Sequence, residues 1–355
     1  MASRRLAQRA RRLTACAAAT VAAGAFAQAG TAALADCHGI ASDSERLACY
    51  DRASGRGAAA RPAAAAPAVI PPKETATPLA NAAAARAAPA SMIDAAWDFD
   101  PASPRYDIRF YKENYFLVGR YTSDVNTAPF LPLYEAIGVP PENVNNTEAK
   151  FQLSFKGRLW TTDDRRFGLW AAYTQQNQWQ IYNGDASRPF RETNYMPELF
   201  VSYRPDVELP GGFRWKLVNF GYNHQSNGRT DVLSRSWDRI LASFGAENGN
   251  LGVFADVWYR IPEKDEEDDN PDITDYYGHG MLSALYRWRG HSFAGWLRGN
   301  VSTGKGAVQA GWTSPPFFGP LRAYVQVFSG YGESLIDYNW KQTTIGAGVA
   351  LSDGL

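Results

Sequence analysis

From about residue 103 onward the chain alternates apolar and polar positions with a period of two, in short segments separated by polar, Gly- or Pro-bearing turns. In 148–160, Phe151, Leu153, Phe155 and Leu159 share one parity, while Lys150, Gln152, Ser154 and Lys156 take the other. Such a segment reads as a β-strand with one apolar and one polar face. Candidate strands fall at 106–122, 148–160, 167–181, 194–205, 213–226, 233–246, 250–262, 275–288, 291–302, 306–313, 320–331 and 340–352. That makes about twelve, and an even number lets an antiparallel barrel close with both ends on one side. Long polar connections such as 182–193 and 263–274 alternate with tight ones such as Glu247-Asn248-Gly249-Asn250. The pattern predicts an all-β protein, a twelve-stranded antiparallel transmembrane β-barrel with a flexible N-terminal extension. A soluble β-sandwich is the alternative that strand counting leaves open. Aromatic residues near strand ends favour the barrel, although the chain ends Ser352-Asp353-Gly354-Leu355, without a terminal aromatic.

The first hundred residues have a different texture. Arg4, Arg5, Arg9, Arg11 and Arg12 precede an alanine-rich apolar run, and Ala33-Leu34-Ala35 supplies a small-x-small cleavage pattern. Residues 1–35 are therefore read as a secretory signal peptide. No later stretch has the roughly 18 continuous apolar residues of a spanning helix, so membrane residence requires strands. In 36–54, a Cys-bounded periplasmic segment, Cys37 and Cys49 form an even pair in an oxidising compartment, and a Cys37–Cys49 disulfide is expected. A metal site at Cys37, His38 and Cys49 is the sharper alternative. Residues 55–102 are mostly Ala, Pro and Gly at first and are read as a linker, with the barrel domain at 103–355.

Composition adds less. With 36 basic and 36 acidic residues, charge points to no nucleic acid partner. Eleven Trp and 18 Tyr in a chain of negative mean hydropathy suit strands that alternate, though an aromatic-rich soluble β protein has a similar profile.

The chemistry gathers in Tyr222–Arg239, YNHQSNGRTDVLSRSWDR. On 213–226, Val218, Phe220, Tyr222, His224 and Ser226 share the apolar, outward parity, and Asn219, Gly221 and Asn223 the inward one. On the next strand Asp238 shares parity with Ile240, Ala242 and Phe244, whereas Arg235, Trp237 and Arg239 face the lumen. A hairpin symmetric about Asp231 sets His224 opposite Asp238, where Cβ atoms lie about 4.5–5.5 Å apart. Ser226, two residues along the same face, is about 7 Å from His224 along the strand. This permits Ser226 as nucleophile, His224 as general base and acid, and Asp238 as the group that orients the ring. Polar residues on a lipid-facing wall are costly without purpose, yet a position at the interfacial rim is a structural alternative. The following loop offers oxygen donors at the Arg229 carbonyl, Thr230, Asp231 and Ser234, which suit a hard cation.

The motifs NHQSNGRTDVLSRSWDR, SRPFRETNYMPELF at 187–200, DDNPDIT at 268–274 and YVQVFSGYGESLIDYN at 324–339 together resemble the outer membrane phospholipase A family, over about residues 103–355. The resemblance implies a barrel in the bacterial outer membrane that hydrolyses sn-1 and sn-2 acyl esters of phospholipids and lysophospholipids. It also implies a carboxylic ester hydrolase dependent on Ca2+ and activated as a homodimer. The family's serine and histidine fall on Ser226 and His224; its third residue is asparagine in the best-known member, where this chain has Asp238. A catalytic calcium is expected on the Arg229 carbonyl, the Ser234 hydroxyl and a carbonyl from Ser187 of the partner subunit, with a second site pairing Asp231 and Asp269. Calcium-bound water and the Gly228 amide would face the oxyanion, and Gln175 would hydrogen-bond across the dimer. A diffusion porin and an inactive structural barrel are the rival readings. Bulky inward Trp237, Arg235 and Arg239 argue for a filled lumen.

Overall fold

The computed structural model describes residues 36–53, 91–137 and 144–354. The signal segment, and the linker up to residue 90, lie outside the described residues. In the N-terminal unit, helix α1 (Asp43–Ala53) follows a turn, and a disulfide joins Cys37 to Cys49. With both sulfurs in that bond, the thiolate metal site at Cys37, His38 and Cys49 has lost its ligands.

The second unit is a barrel. Its strands are β1 (Ile108–Phe110), β2 (Tyr115–Thr122), β3 (Thr147–Thr161), β4 (Phe167–Trp179), β5 (Phe190–Tyr203), β6 (Val207–Glu208) and β7 (Arg214–Ser226). They continue with β8 (Ser236–Asn248), β9 (Leu251–Arg260), β10 (Gly280–Trp288), β11 (His291–Asn300), β12 (Lys305–Phe318), β13 (Leu321–Tyr331) and β14 (Lys341–Ala350). Twelve of them form a ring of antiparallel neighbours that closes where β14 pairs β2, β2 pairs β3 and β3 pairs β4. The two-residue β6 joins only β7, and β1 pairs β3 beyond the end of β2. Lys112–Asn114 interrupt the strand expected at 106–122; there Asn114 turns inward, accepts the Ser154 amide and donates to the Ser154 carbonyl.

The wall is inverted relative to a soluble core. Phe220, Leu282, Leu297 and Ile345 are more than half exposed on the outside, whereas Arg120, Lys150 and Glu148 are buried within. No helix among the described residues is long and apolar enough to cross a membrane. Inward-folded segments plug the lumen at both ends and leave a cavity of about 360 Å³ between them, bordered by Trp97, Lys156, Arg239, Tyr277 and Glu333. Arg120 pairs with Glu148 at 2.8 Å, Arg191 with Glu148 and Asp337 at 3.0 Å each, and Lys150 with Glu333 at 2.9 Å. Glu333 and Asp337 belong to the β13–β14 loop, which folds back inside and buries Leu335 and Ile336. A short helix, α4 (Ile273–Tyr277), packs Ile273 and Tyr277 with Leu335 onto Trp237. It occupies the start of the strand expected at 275–288, because those aromatic side chains find a pocket in the lumen and not a place in the wall.

The opposite, short-turn end is closed by residues assigned from sequence to the linker. Ser91 caps a helix, α2 (Met92–Trp97), by accepting the Asp94 amide at 2.9 Å. Ile93, Trp97 and Phe99 pack with Trp170, Phe200 and Leu217 inside the barrel. Lys156 Nζ lies 3.3 Å from the Trp97 ring centroid, a cation over an aromatic face. The boundary at 102 is corrected accordingly: four large apolar residues, Met92, Ile93, Trp97 and Phe99, reward ordering of a segment that the Ala- and Pro-rich composition before it had joined to the linker. The remaining helix, α3 (Leu131–Ile137), lies in the β2–β3 connection at the other end.

Candidate active site

The β7–β8 hairpin carries the chemistry because its pleat separates two sets of side chains. Asn223, Gln225 and Asn227 are buried inside, while Tyr222, His224 and Ser226 stand on the outer face. On the lumenal side Gln225 Oε1 accepts Trp237 Nε1–H and an Arg239 N–H, each at 3.1 Å, which fixes the hairpin from behind. Arg239 lies over the Trp237 ring at 3.9 Å. The register sets His224 opposite Asp238, Ser226 opposite Ser236 and Tyr222 opposite Ile240.

His224 Nδ1 lies 2.7 Å from Asp238 Oδ1, with both side chains about one-third exposed (35% and 31%). An ionised carboxylate only accepts, so Nδ1 carries the proton and Nε2 is left as the base. Tyr222 Oη donates to the same Asp238 oxygen at 2.6 Å. Ser226 comes next on this face, but no hydrogen bond joins it to His224 among the described residues. The two side chains share a strand and a face, and the pleat sets them one repeat apart.

Asn227 is the residue sequence reasoning missed. Its Oδ1 accepts the amides of Arg229 at 3.3 Å and Arg235 at 3.0 Å, and its Nδ2 donates to the Leu233 carbonyl at 2.8 Å. The loop 228–235 is thus wound around one buried amide. Arg235 lies in this loop, ahead of β8, and donates to the carbonyls of Val232 and Ser234. The strand expected from 233 begins only at Ser236, so Arg235 precedes it, while its guanidinium lies 5.8 Å from the ring of Tyr338, a residue of the inward β13–β14 loop. Behind Asn227, Glu192 accepts the Asn194 amide at 2.7 Å, and Glu192 and Asn194 together receive the backbone amides of Ile336 and Leu335. The β13–β14 loop therefore braces the site from inside. The Asn-Gly pair at 227–228 was the only local signal.

Gly228 adopts φ +64°, and a Cβ there would meet the Tyr195 ring at 2.9 Å, so glycine is required twice over. Its amide donates to no group among the described residues, and neither the Arg229 carbonyl nor the Ser234 hydroxyl accepts a hydrogen bond there. Uncommitted carbonyl and hydroxyl oxygens are donors a calcium ion favours. Among the described residues, no three His, Cys, Asp or Glu side chains form a metal cluster, so such a site depends on neutral oxygens. Asp231 opens the short turn Asp231–Leu233 with φ +53°. Asp269 lies in the β9–β10 loop, in which Asp268 binds Arg260 at 2.6 Å. Glu263 of that loop is pushed above the usual carboxyl range by burial first and by the neighbouring Asp268 second. Ser187, exposed with φ +58°, sits in the β4–β5 loop. Gln175 faces outward from β4, where its Oε1 accepts Tyr173 Oη–H and its Nε2 donates to Asn177 Oδ1, each at 3.0 Å. In one subunit, then, the glutamine expected to bond a partner is bonded to its own strand.

The phospholipase A1 family profile matches residues 95–351, almost the whole barrel and its plug. The chain belongs to the phospholipase A1 family. It is 42% identical to phospholipase A1 of Klebsiella pneumoniae over 68% of this chain and 82% of that one, and 43% identical to that of Escherichia coli strain K12 over 68% and 81%. The fold is similar to outer membrane phospholipase A from Escherichia coli, with a TM-score of 0.63 at 40% identity over 69% of this chain and 98% of that one. It is also similar to the Salmonella typhi outer membrane phospholipase dimer with bound calcium, with a TM-score of 0.64 at 41% identity, over 70% and 93%. A further similar structure is an active-site mutant of the Escherichia coli protein in which an asparagine is replaced by alanine. Family membership makes this closed barrel a bacterial outer-membrane protein and a carboxylic ester hydrolase, and it removes the porin and the soluble sandwich from consideration.

Proposed function

We propose that the protein is a calcium-dependent phospholipase that cleaves sn-1 and sn-2 acyl esters of phospholipids and lysophospholipids on its lipid-facing wall, is active as a homodimer, and extends its N-terminus into the periplasm. The observation that carries this reading is the 2.7 Å contact of His224 and Asp238 beside Ser226 on the outer face. A lipid lying against the barrel presents its ester there without leaving the membrane.

In this mechanism His224 Nε2 takes the Ser226 proton as Oγ bonds to the ester carbonyl carbon. Asp238 holds the Nδ1–H and stabilises the imidazolium. The uncommitted Gly228 amide faces the developing oxyanion. As the ester C–O bond breaks, His224 returns the proton to the departing alcohol, and water then repeats both steps to release the fatty acid. The Arg229 carbonyl and Ser234 hydroxyl, with Ser187 of the partner subunit, would hold a calcium ion that supplies electrostatic stabilisation of that oxyanion. Asp231 and Asp269 would hold a second. The calcium of the Salmonella typhi dimer supports the cofactor and the paired state. The active-site asparagine of the Escherichia coli protein supports a third member with a side-chain oxygen, the group that Asp238 supplies in this chain.

Release of fatty acid from detergent-dispersed phospholipid tests the reading. Ser226→Ala is expected to lower kcat by roughly 10⁴-fold or more, and a chelator to abolish turnover reversibly. Undiminished hydrolysis by Ser226→Ala would sink the mechanism.

A further inference from the structure

Two donors meet on one carboxylate oxygen at this site. Asp238 Oδ1 lies 2.7 Å from His224 Nδ1 and 2.6 Å from Tyr222 Oη. Tyr222 stands on His224's own strand, two residues earlier on the same face, and its direct partner is Ile240. It therefore reaches Asp238 on the diagonal, a distance long aromatic side chains can cover. A carboxylate has lone pairs for several donors, yet both of these fall on Oδ1 and share its electron density.

We propose that Tyr222 is a positioning residue for the hydrolytic reaction: its phenol pins the Asp238 carboxylate and moderates that group's pull on the His224 proton. This role rests on Ser226, His224 and Asp238 acting as the triad. It follows from a charged third residue on a lipid-facing wall. With a neutral amide at that place a phenol would have no charge to share. With Asp238, the phenol compensates a carboxylate that faces an apolar phase and keeps it from over-stabilising the imidazolium, which would make His224 Nε2 slow to release its proton to the leaving group.

The other groups around the pair are few. From β5 comes Tyr195, the direct partner of Ser226, and from β9 Tyr259, which pairs Ile240. The loop after β9 brings Glu263, whose charge interacts with Asp238. Beside it is Arg260, which is already paired with Asp268 at 2.6 Å. No cation besides His224 is hydrogen-bonded to Asp238 among the described residues, so the phenol is the only other side-chain donor to this carboxylate there.

The sign follows from the geometry. Removing the phenol returns Oδ1 density to the Nδ1–H, the imidazolium gains stability, and the acidic limb of kcat/KM against pH moves to higher pH. The test is that profile, measured with saturating calcium in mixed micelles, for the wild type, Tyr222→Phe, Asp238→Asn, the double variant and Ser226→Ala. Tyr222→Phe is expected to move the limb up by roughly 0.5 to 1 unit and to lower kcat about three- to tenfold. In the Asp238→Asn background the same substitution is expected to leave the limb in place. Tyr222→Leu removes the hydroxyl along with the ring, and should reproduce the shift of the limb. A Tyr222→Phe profile that superimposes on the wild type, or an equal shift in both backgrounds, overturns the proposal. Turnover by Ser226→Ala would instead overturn the triad itself.

Discussion

Asn227 shows how much of this site depends on a side chain that touches no substrate. Its amide satisfies two backbone N–H groups and one carbonyl, and each such group left unpaired in a buried place costs on the order of 1–3 kcal/mol. Asn227→Ala is expected to free the loop 228–235, which carries the Arg229 carbonyl and Ser234 hydroxyl proposed as calcium ligands. Calcium titration of activity should then show a half-saturating concentration raised about 10- to 100-fold, with much of the rate recovered at high calcium. An unchanged titration would separate the loop's shape from calcium affinity. His224, Ser226 and Asp238 were legible in sequence because a period of two and a hairpin axis place them by counting. Asn227 faces the lumen, and its role exists only once the loop has closed over it.

Among the elements, α2 is the one that composition concealed. Its six residues follow an Ala- and Pro-rich stretch, and Met92, Ile93 and Trp97 find their burial only within the closed barrel. Electrostatics seats it: Asp94 receives Arg204 at 2.6 Å and Lys216 at 2.9 Å, and Glu247 receives the Ile93 amide at 3.0 Å. Burial pushes the Asp94 carboxyl up, but the hydrogen bonds from Arg204 and Lys216 outweigh it and hold the group below its usual range. A carboxyl depressed in the folded state contributes stability above its unfolded value, near 4, and that contribution is lost as pH falls through the folded one. The plug should therefore stay seated at neutral pH and loosen in strong acid. Conductance across planar bilayers is expected to be near zero at pH 7, to rise as the pH is brought below about 4, and to rise at pH 7 in Asp94→Ala. Equal conductance of that variant and the wild type at pH 7 would mean that the apolar contacts of Trp97 suffice.

The barrel is an inverted object: charge and amide inside, apolar side chains outside, with His224, Ser226 and Asp238 on the outer face. That inversion would make self-association in the membrane a matter of close packing and polar contacts, since lipid offers no hydrophobic drive between subunits. Gln175 bonds to Tyr173 and Asn177 within one subunit, so pairing would exchange those bonds for bonds to the partner. The net gain is then small, about 0.6 to 2 kcal/mol. For Gln175→Ala, sedimentation in detergent with calcium should show a dimer dissociation constant raised roughly three- to 30-fold. Activity should fall at low enzyme concentration and return at high. A loss that persists at saturating concentration would give Gln175 a role within the single barrel.

The sequence by itself determined the wall and what stands on it. Strand parity is a local property, fixed by the two-residue pleat, so twelve segments, their inward and outward faces and the opposition of His224 to Asp238 could be counted along the chain. The tertiary structure alone decided what fills the barrel and what shapes the site. The inward fold of Glu333–Asp337, the seating of Trp97 among Trp170 and Phe200, the closing of a loop on Asn227 and the meeting of Tyr222 with His224 on one oxygen are not periodic features. The first two bring together residues distant in sequence and the last two close within one hairpin, and each holds because a polar or aromatic group must find its partner wherever the closed barrel places it.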